Sequence, residues 1–319
     1  MIFTRRTLLA VPGFALPASA RAQAWPTRPI RLISTFEPGG AADILARSLA
    51  AIMPEELQQT VIVENRTGAA GNLGAEMVAR ATDNHTIYLA STGPLTYHHV
   101  LFRNLAFDPL KDFAPIGLAA LSPNILAVRS DRPWRNLQDF IEEARRRPGA
   151  LTFGSSGIGT TQHLTGELLQ AETGIELLHV PYRGGAPAVR ELVGGRIDMA
   201  VSSGSSAAMI RSGEIRAIAV SGATRIPMIP DVPTMSEQGY PNLVATAWYG
   251  LVGPSSMPTE VVMRLDRALR RASSNPAFVS RMRDQTLDVR ESNPEEFSSF
   301  IAAERGKWAP IAQRFAGTL

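Results

Sequence analysis

Apolar and polar positions follow two alternating periods along most of the chain. Residues 29–36 alternate with a period of two, which predicts a β-strand, and residues 42–53 place Ile44, Leu45 and Leu49 at helical spacing. Further strand and helix patterns follow in the same order, separated by short glycine turns such as Pro38-Gly39-Gly40. This order is typical of an α/β fold in which mainly parallel sheets are covered by helices.

The pattern divides into two series, each long enough for a sheet of its own. Because a chain of 319 residues exceeds what one hydrophobic core normally supports, we expect two lobes. We place lobe 1 at residues 25–127 plus 247–319 and lobe 2 at residues 128–246, with crossings near Val128 and Ala247 and a ligand cleft between the lobes. The predicted strands are 29–36, 60–64, 86–90, 124–128, 151–154, 176–180, 197–201, 215–220 and 246–252, and the predicted helices are 42–53, 74–81, 137–147, 161–170, 186–193, 259–273, 276–283 and 294–315.

The first residues have the pattern of an export signal. Arg5 and Arg6 precede a short apolar run, and Ala22-Gln23-Ala24 fits the small-x-small site of a signal peptidase. We therefore expect residues 1–24 to be removed by cleavage after Ala24 and the protein to act outside the cytoplasm. The paired arginines leave two routes open, the twin-arginine pathway and the ordinary secretory pathway.

Removal of that signal changes the charge of the chain. The full sequence has 32 basic and 29 acidic residues, but residues 1–24 contain three arginines and no acid, so the remaining chain has 29 of each. A chain without net positive charge or a basic patch argues against nucleic acid as a partner.

Metal and nucleotide cofactors are not expected. The chain has no cysteine, and its five histidines are scattered except for His98 and His99, whose side chains would point to opposite faces of a strand. Residues 157–162 lack the third glycine of the dinucleotide fingerprint, and no glycine loop ends in the Gly-Lys-Ser/Thr of a P-loop. The sequence therefore predicts no cofactor.

Five loops that follow predicted strands, residues 37–43, 91–95, 154–163, 181–187 and 202–206, consist mainly of Gly, Ser, Thr and Ala. Ligands of α/β sheets bind outside the carboxyl ends of the strands, where helix N-termini offer free N–H groups to an anion. Ordinary capping explains any one of these loops, but five at corresponding positions favour a pocket. The predicted ligand-binding residues are Gly39, Gly40, Ala41, Asp43, Ser91, Thr92, Ser155, Ser156, Thr160, Thr161, Gly184, Ala186, Asp198 and Ser202.

Some polar groups in or near these loops leave alternatives open. Ser155 and His163, with Asp198 as a third member, suggest an α/β hydrolase, although Gly154-Ser155-Ser156-Gly157 has one residue too few around its serine for Gly-x-Ser-x-Gly. Asp43 either stabilises the N-terminus of its helix or binds an amine of the ligand. Arg183 either pairs with a carboxylate or faces water.

Motifs spread over the chain after residue 24 occur together, in the same order, in one family. Such an ordered series is more specific than any single motif. On these motifs the chain resembles the periplasmic substrate-binding proteins of tripartite tricarboxylate transporters, the Bug-type receptors. The motifs are Trp25-Pro26-Thr27-Arg28-Pro29-Ile30, Pro38-Gly39-Gly40 with Asp43, Val63-Glu64-Asn65-Arg66, Phe107-Asp108-Pro109, Asp112-Phe113, Gly154-Ser155, His163-Leu164, His179-Val180-Pro181-Tyr182, Gly194-Gly195-Arg196-Ile197-Asp198, Ile215-Arg216-Ala217, Pro230-Asp231-Val232-Pro233-Thr234 and Trp248-Tyr249-Gly250-Leu251.

The resemblance implies a periplasmic-binding-protein fold of type II, a Venus flytrap whose two lobes close around a small carboxylate, either a di- or tricarboxylate or an aromatic carboxylate. It implies a periplasmic receptor without enzymatic activity, which delivers its ligand to a two-subunit membrane permease or signals to a sensor kinase. It also implies that loop backbone, hydroxyl groups and bridging waters hold the carboxylate, without a dedicated arginine. We expect a monomer.

Two departures from the family pattern concern the ligand. The turn Phe36-Glu37-Pro38 places an acid at the expected mouth of the pocket. Val201 and the small residues 202–208 stand where many members of the family carry a phenylalanine. The sequence therefore predicts the class of ligand but not its identity.

Overall fold

Two β-sheets, each flanked by helices, form the two lobes of the computed structural model, which describes residues 25–316. The expected export signal and its cleavage after Ala24 lie outside the described residues. Within residues 25–316, no helix combines the length and the apolar character needed to cross a membrane.

Both sheets are mixed. The first has the strand order β11-β4-β10-β3-β1-β2 and the second β7-β6-β8-β5-β9. These strands are β1 (Ile30–Ser34), β2 (Val61–Asn65), β3 (Thr86–Ser91), β4 (Phe113–Pro123), β5 (Ile125–Arg129), β6 (Leu151–Ser155), β7 (Leu177–Pro181), β8 (Met199–Ser202), β9 (Ile215–Val220), β10 (Thr246–Pro254) and β11 (Asp288–Val289).

The parallel strands carry the loops of interest, and the antiparallel strands carry the chain between lobes. In the first sheet β1 is parallel to β2 and β3, whereas β10 is antiparallel to β3 and β4. In the second sheet β6 is parallel to β7 and β8, whereas β5 is antiparallel to β8 and β9. The two-lobed α/β class is as expected, but the sheets are mixed because the strands next to each passage between lobes run against the others.

The helices cover both sheets, and the C-terminal helix begins at residues that favour a helix start. Asn293 and Glu296 form a capping box at the start of α12, and Pro294 occupies the first helical position, where no N–H is needed. The helices are α1 (Ala41–Ile52), α2 (Pro54–Leu57), α3 (Asn72–Ala79), α4 (Thr92–Thr96), α5 (His98–Leu101), α6 (Leu137–Arg146), α7 (Thr161–Thr173), α8 (Gly185–Val193), α9 (Ala207–Arg211), α10 (Thr259–Ser273), α11 (Pro276–Arg283) and α12 (Pro294–Phe315).

The chain passes between the sheets at Asn124 and again between β9 and β10. The first sheet's β4 ends at Pro123 and the second sheet's β5 begins directly after Asn124, so this passage precedes the expected Val128. Ser221 joins the two passages, because its Oγ accepts the backbone N–H of Asn124 at 2.9 Å and donates to the carbonyl of Ala245.

The C-terminal helix α12 packs against both lobes. Its first half places Phe297 and Ile301 in a core cluster of the first lobe, and its second half places Trp308 and Ala312 in the core of the second lobe. Trp308 contacts Tyr97, with ring centroids 5.5 Å apart. The helix therefore connects the lobes alongside the two passages.

Candidate functional site

Three adjoining cavities lie between the lobes, and we call them together the interlobe cleft. Their volumes are about 370, 400 and 20 Å³, and Phe36 lines all three. The two larger cavities also share Glu37 of lobe 1 and Ser156, Arg183 and Gly184 of lobe 2. A ligand in the cleft would therefore contact both lobes.

Two helix N-termini from opposite lobes face the 370 Å³ cavity. The residues before α1 and α8 are Gly40 and Gly184, and neither start has a side-chain cap. Gly184 has φ 136°, a conformation that residues with a Cβ atom rarely adopt. The first N–H groups of a helix lack internal partners and carry a partial positive charge, so this cavity suits an anion. The residues of the two N-termini that line it are Gly40, Ala41, Ala42, Gly184, Gly185 and Ala186.

The glycine loop between β6 and α7 is held from behind by two stacked histidines. The Oγ of Ser155 lies 2.7 Å from Nε2 of His179 and accepts the N–H of Gly157 at 3.1 Å. The Nδ1 of His163 accepts the N–H of Gly159 at 3.2 Å, and the two imidazole rings stack 4.1 Å apart. Burial, followed by repulsion from His163, lowers the pKa of His179 to about 3, so its ring is neutral at pH 7.

This arrangement contradicts the hydrolase pairing of Ser155 with His163. Ser155 is fully buried, does not line the interlobe cleft, and has His179 as its imidazole partner. Asp198 precedes β8, at the strand end opposite the loops. There its carboxylate accepts the backbone N–H and the hydroxyl of Thr152, both at 3.0 Å. Asp198 is therefore neither near the imidazoles as a third member nor placed to touch a ligand in the cleft.

Asp43 binds its own loop rather than facing the cleft. Its carboxylate accepts the N–H of Gly39 at 3.0 Å, Nε of Arg47 at 2.9 Å and the amide of Asn65 at 2.8 Å. Burial alone would raise the pKa of Asp43, but these hydrogen bonds outweigh burial and lower it. The amide of Asn65 also donates to the carbonyl of Phe36. Of the two roles open from the sequence, Asp43 has the structural one, which fixes the turn before α1.

Tyr97 and His98 connect the lobes beside the smallest of the three cavities, which they line. The hydroxyl of Tyr97 donates to the carbonyl of Gly159 at 3.0 Å, and Nε2 of His98 lies 2.9 Å from the same oxygen. The Nδ1 of His98 lies 2.5 Å from the side-chain oxygen of Asn72. Burial lowers the pKa of His98 to about 4, so this buried ring adds no charge to the cleft at pH 7.

Three charged side chains line the cleft: Glu37 from lobe 1, and Arg183 and Arg190 from lobe 2. All three residues are exposed. Within residues 25–316, none of them forms an ion pair or a side-chain hydrogen bond. Arg183 therefore faces the cleft, where a ligand carboxylate could reach it.

The structure brings nine of the fourteen predicted residues to the cleft and leaves five outside its lining. Those that line it are Gly40, Ala41, Ser91, Thr92, Ser156, Thr160, Thr161, Gly184 and Ala186. Those that do not line it are Gly39, Asp43, Ser155, Asp198 and Ser202. Four of the five have a neighbour in the lining, since each loop turns only some of its residues inward; these neighbours are Gly40, Ala42, Ser156 and Ser203.

Several lining residues were missed by sequence reasoning. Gln162 and Arg190 carried no distinguishing pattern, whereas Phe36 and Tyr249 stand in family motifs but were not predicted to bind the ligand. The segment 67–71 did carry one, because its Gly-Ala-Ala-Gly run follows β2 and precedes α3, as the other cleft loops follow their strands. The run lacks the glycine spacing of a nucleotide-binding loop, but its position at a carboxyl strand end is the informative signal. Among the described residues, no group of three His, Asp or Glu side chains is placed to hold a metal ion.

Comparisons with known proteins give consistent matches over nearly the whole chain. The sequence model of one family, described as tripartite tricarboxylate transporter family receptor, matches residues 45–316. A protein of Pseudomonas sp. (strain P51), described as UPF0065 protein in tcbD-tcbE intergenic region, is 37% identical over 96% of this chain and 93% of its own length. BugT of Bordetella pertussis is 32% identical over 98% of this chain and 96% of its own length.

Two similar solved structures hold dicarboxylates. R. palustris Rpa4515 with adipate is 33% identical, covers 92% of this chain and 98% of its own, and superposes with a TM-score of 0.87. MatC (Rpa3494) from Rhodopseudomonas palustris with bound malate is 29% identical, covers 90% of this chain and 100% of its own, and gives a TM-score of 0.85.

Proposed function

Because the chain belongs to the tripartite tricarboxylate transporter receptor family, we propose that it is an extracytoplasmic receptor for a small carboxylate. The ligand is a di- or tricarboxylate or an aromatic carboxylate. The receptor delivers it to a two-subunit membrane permease of the tripartite tricarboxylate type or presents it to a sensor kinase. It acts as a monomer, without a cofactor and without catalysis.

The observation that carries this proposal is the pair of helix N-termini without side-chain caps, one from each lobe, at the same 370 Å³ cavity. One carboxylate placed between α1 and α8 would accept N–H groups from both. Each helix N-terminus contributes about 0.3–1 kcal/mol to an anion when exposed and more when water is excluded. The adipate and malate held by related structures are ligands of this kind.

The rest of the cleft supplies polar groups that orient such a ligand. Ser156 and Gln162 extend from the loop before α7 and the first turn of that helix, and Arg183 and Arg190 add positive charge beside α8. Bridging waters complete the contacts of the remaining carboxylate oxygens. Since the contacts come from both lobes, the ligand favours the closed arrangement, with rotation at Asn124 and in the passage to β10.

We expect this receptor to act in the periplasm. The arginine-containing start of the chain and the Ala22-Gln23-Ala24 site direct export and cleavage after Ala24, which places the receptor in the periplasm. Mass spectrometry of the secreted protein that finds Trp25 as its first residue would support this, and an uncut N-terminus would contradict it.

The test is a thermal melt against a panel of carboxylates that includes adipate, malate, citrate and benzoate. A ligand at 100 times its Kd stabilises the folded state by about 2.7 kcal/mol, which such a melt resolves. Ala186→Asp places a rival carboxylate in the first turn of α8 and should abolish the shift. Thr259→Asp adds the same charge at the start of α10, away from the cleft, and should preserve the shift.

Two results would contradict the proposal. One is a melt that no carboxylate shifts, together with ester hydrolysis that Ser155→Ala removes. The other is equal ligand binding by Ala186→Asp and Thr259→Asp, because a carboxylate held between the helix N-termini must respond to a charge in one of them.

A further inference from the structure

The charged side chains of the interlobe cleft are unbalanced and unpaired. Within the described part of the chain, the charged residues that line its cavities are Glu37, Arg183 and Arg190. Burial holds His98 neutral at pH 7, so it adds no charge. One acid and two arginines give the cleft a charge of +1, which complements a ligand of charge −1 better than a dianion.

Glu37 lies where the two lobes approach each other. A methyl group at Gly184, on the opposite lobe, would lie 4.0 Å from the Cβ of Glu37. Glu37 also lines both of the larger cavities, so a ligand in either one would meet its carboxylate. Pro38 and the hydrogen bonds of the 36–43 turn to Asp43 and Asn65 fix the backbone at this position.

An unpaired acid at an anion site has a cost for ordinary dicarboxylates. A ligand carboxylate close to Glu37 is repelled, whereas a protonated nitrogen at the same place gains a charge-assisted hydrogen bond. Asp43 is the other acid of this turn, lies outside the cleft lining, and its oxygens already accept three donors of the protein. Of the two acids, only Glu37 has free acceptors for a cationic group.

We propose that Glu37 makes this receptor selective for a carboxylate that also carries a protonated nitrogen, such as an ammonium group. The ligand's carboxylate groups face α1, α8 and the two arginines, and its nitrogen donates to Glu37. An amino-dicarboxylate has two carboxylates and one ammonium group. Each carboxylate can therefore face one of the two arginines, while the ammonium group faces the one acid. This inference rests on the proposed carboxylate receptor and names the substrate class of the same cleft.

The experiment compares ligands that differ in one ammonium group. Isothermal titration measures Kd for succinate against L-aspartate and for adipate against L-2-aminoadipate, with the full mature protein. One charge-assisted hydrogen bond corresponds to roughly a tenfold or greater preference for the amino member of a pair. We expect that preference in the wild type, its loss in Glu37→Gln, and its retention in Glu37→Asp.

Glu260→Gln is the matched control, because Glu260 is an exposed acid in the first turn of α10, outside the cleft. It should leave the Kd ratio of each pair at the wild-type value. The thermal melt of each variant without ligand checks folding, and Glu37→Gln should match the wild type because Glu37 forms no ion pair in the described structure.

The outcomes separate the two proposals. If the diacids bind as tightly as the amino acids, or if the preference survives Glu37→Gln, the inference is overturned while the carboxylate receptor stands. If Glu37→Gln weakens both members of each pair equally, Glu37 acts on lobe closure through Arg183 or Arg190, which also overturns the inference. If no member of any pair binds, the selectivity inference is overturned. The wider carboxylate panel then decides whether the proposed receptor function stands.

Discussion

Replacing glycine by alanine should change the free energy of unfolding in opposite directions at two helical positions. Gly166 lies inside α7, where an added Cβ would sit 2.2 Å from Cε2 of Phe153, a fully buried side chain. Gly306 lies inside α12, is exposed, and has no heavy atom within 4 Å of an added Cβ. Gly166→Ala and Gly306→Ala therefore differ in packing while the gain in helix propensity is the same.

The magnitudes follow from two terms. Alanine in a helix interior is favoured over glycine by about 1 kcal/mol, and overpacking a rigid core costs about 1–3 kcal/mol. Gly306→Ala should raise the free energy of unfolding by up to about 1 kcal/mol, since only the propensity term acts. Gly166→Ala should lower it by up to about 2 kcal/mol, so the two variants should differ by about 1–3 kcal/mol.

Ligand affinity provides a second measurement. Phe153 stacks on His179 with centroids 4.7 Å apart, and His179 holds Ser155 of the loop before α7. A displaced Phe153 would disturb this loop, so Gly166→Ala should weaken carboxylate binding while Gly306→Ala should not. Urea unfolding followed by circular dichroism gives the free energies, and titration calorimetry gives the affinities. Equal changes in both variants, of the same sign, would refute the packing argument.

Three further predictions follow from the contacts of the site. The pKa values of His98 and His179 lie at about 4 and about 3 when folded, against 6.5 ordinarily. As the pH falls from 7 to 5, the unfolded chain therefore takes up protons that the folded chain excludes. The free energy of unfolding should decrease by up to about 1.4 kcal/mol per pH unit for each ring, and a flat urea-unfolding profile over this range would be inconsistent with neutral buried rings. Asp43→Asn removes the charge-assisted hydrogen bonds that the carboxylate accepts from Gly39 and Arg47. It should lower the free energy of unfolding by about 1–3 kcal/mol and weaken ligand binding. Unchanged titration and unfolding curves would count against the role of Asp43 in fixing the turn. Saturation with a bound carboxylate should reduce the radius of gyration in small-angle scattering, whereas identical free and saturated profiles would argue against lobe closure.

The sequence alone determined the order of most strands and helices and most of the loops that meet at the cleft. Periodicity identifies these elements because their buried faces repeat every two or 3.6 residues. It missed β4, whose sequence Phe-Ala-Pro-Ile-Gly-Leu-Ala-Ala-Leu-Ser-Pro has two prolines and a single β-branched residue. That strand forms because β10 and β11 pair with its two edges, a reason that local sequence does not contain.

Only the tertiary structure decided which side chains act together. Ser155 is hydrogen-bonded to His179 rather than to His163, which is nearer in sequence. The parallel pairing of β6 with β7 sets Phe153 opposite His179, and Ser155, two residues after Phe153, lies on the same face of the sheet. Glu37 meets Gly184 only because the lobes face each other across the cleft. Strand register and lobe packing are long-range properties, so the sequence predicts an anion site with neutral loops, and the fold supplies the charges that surround it.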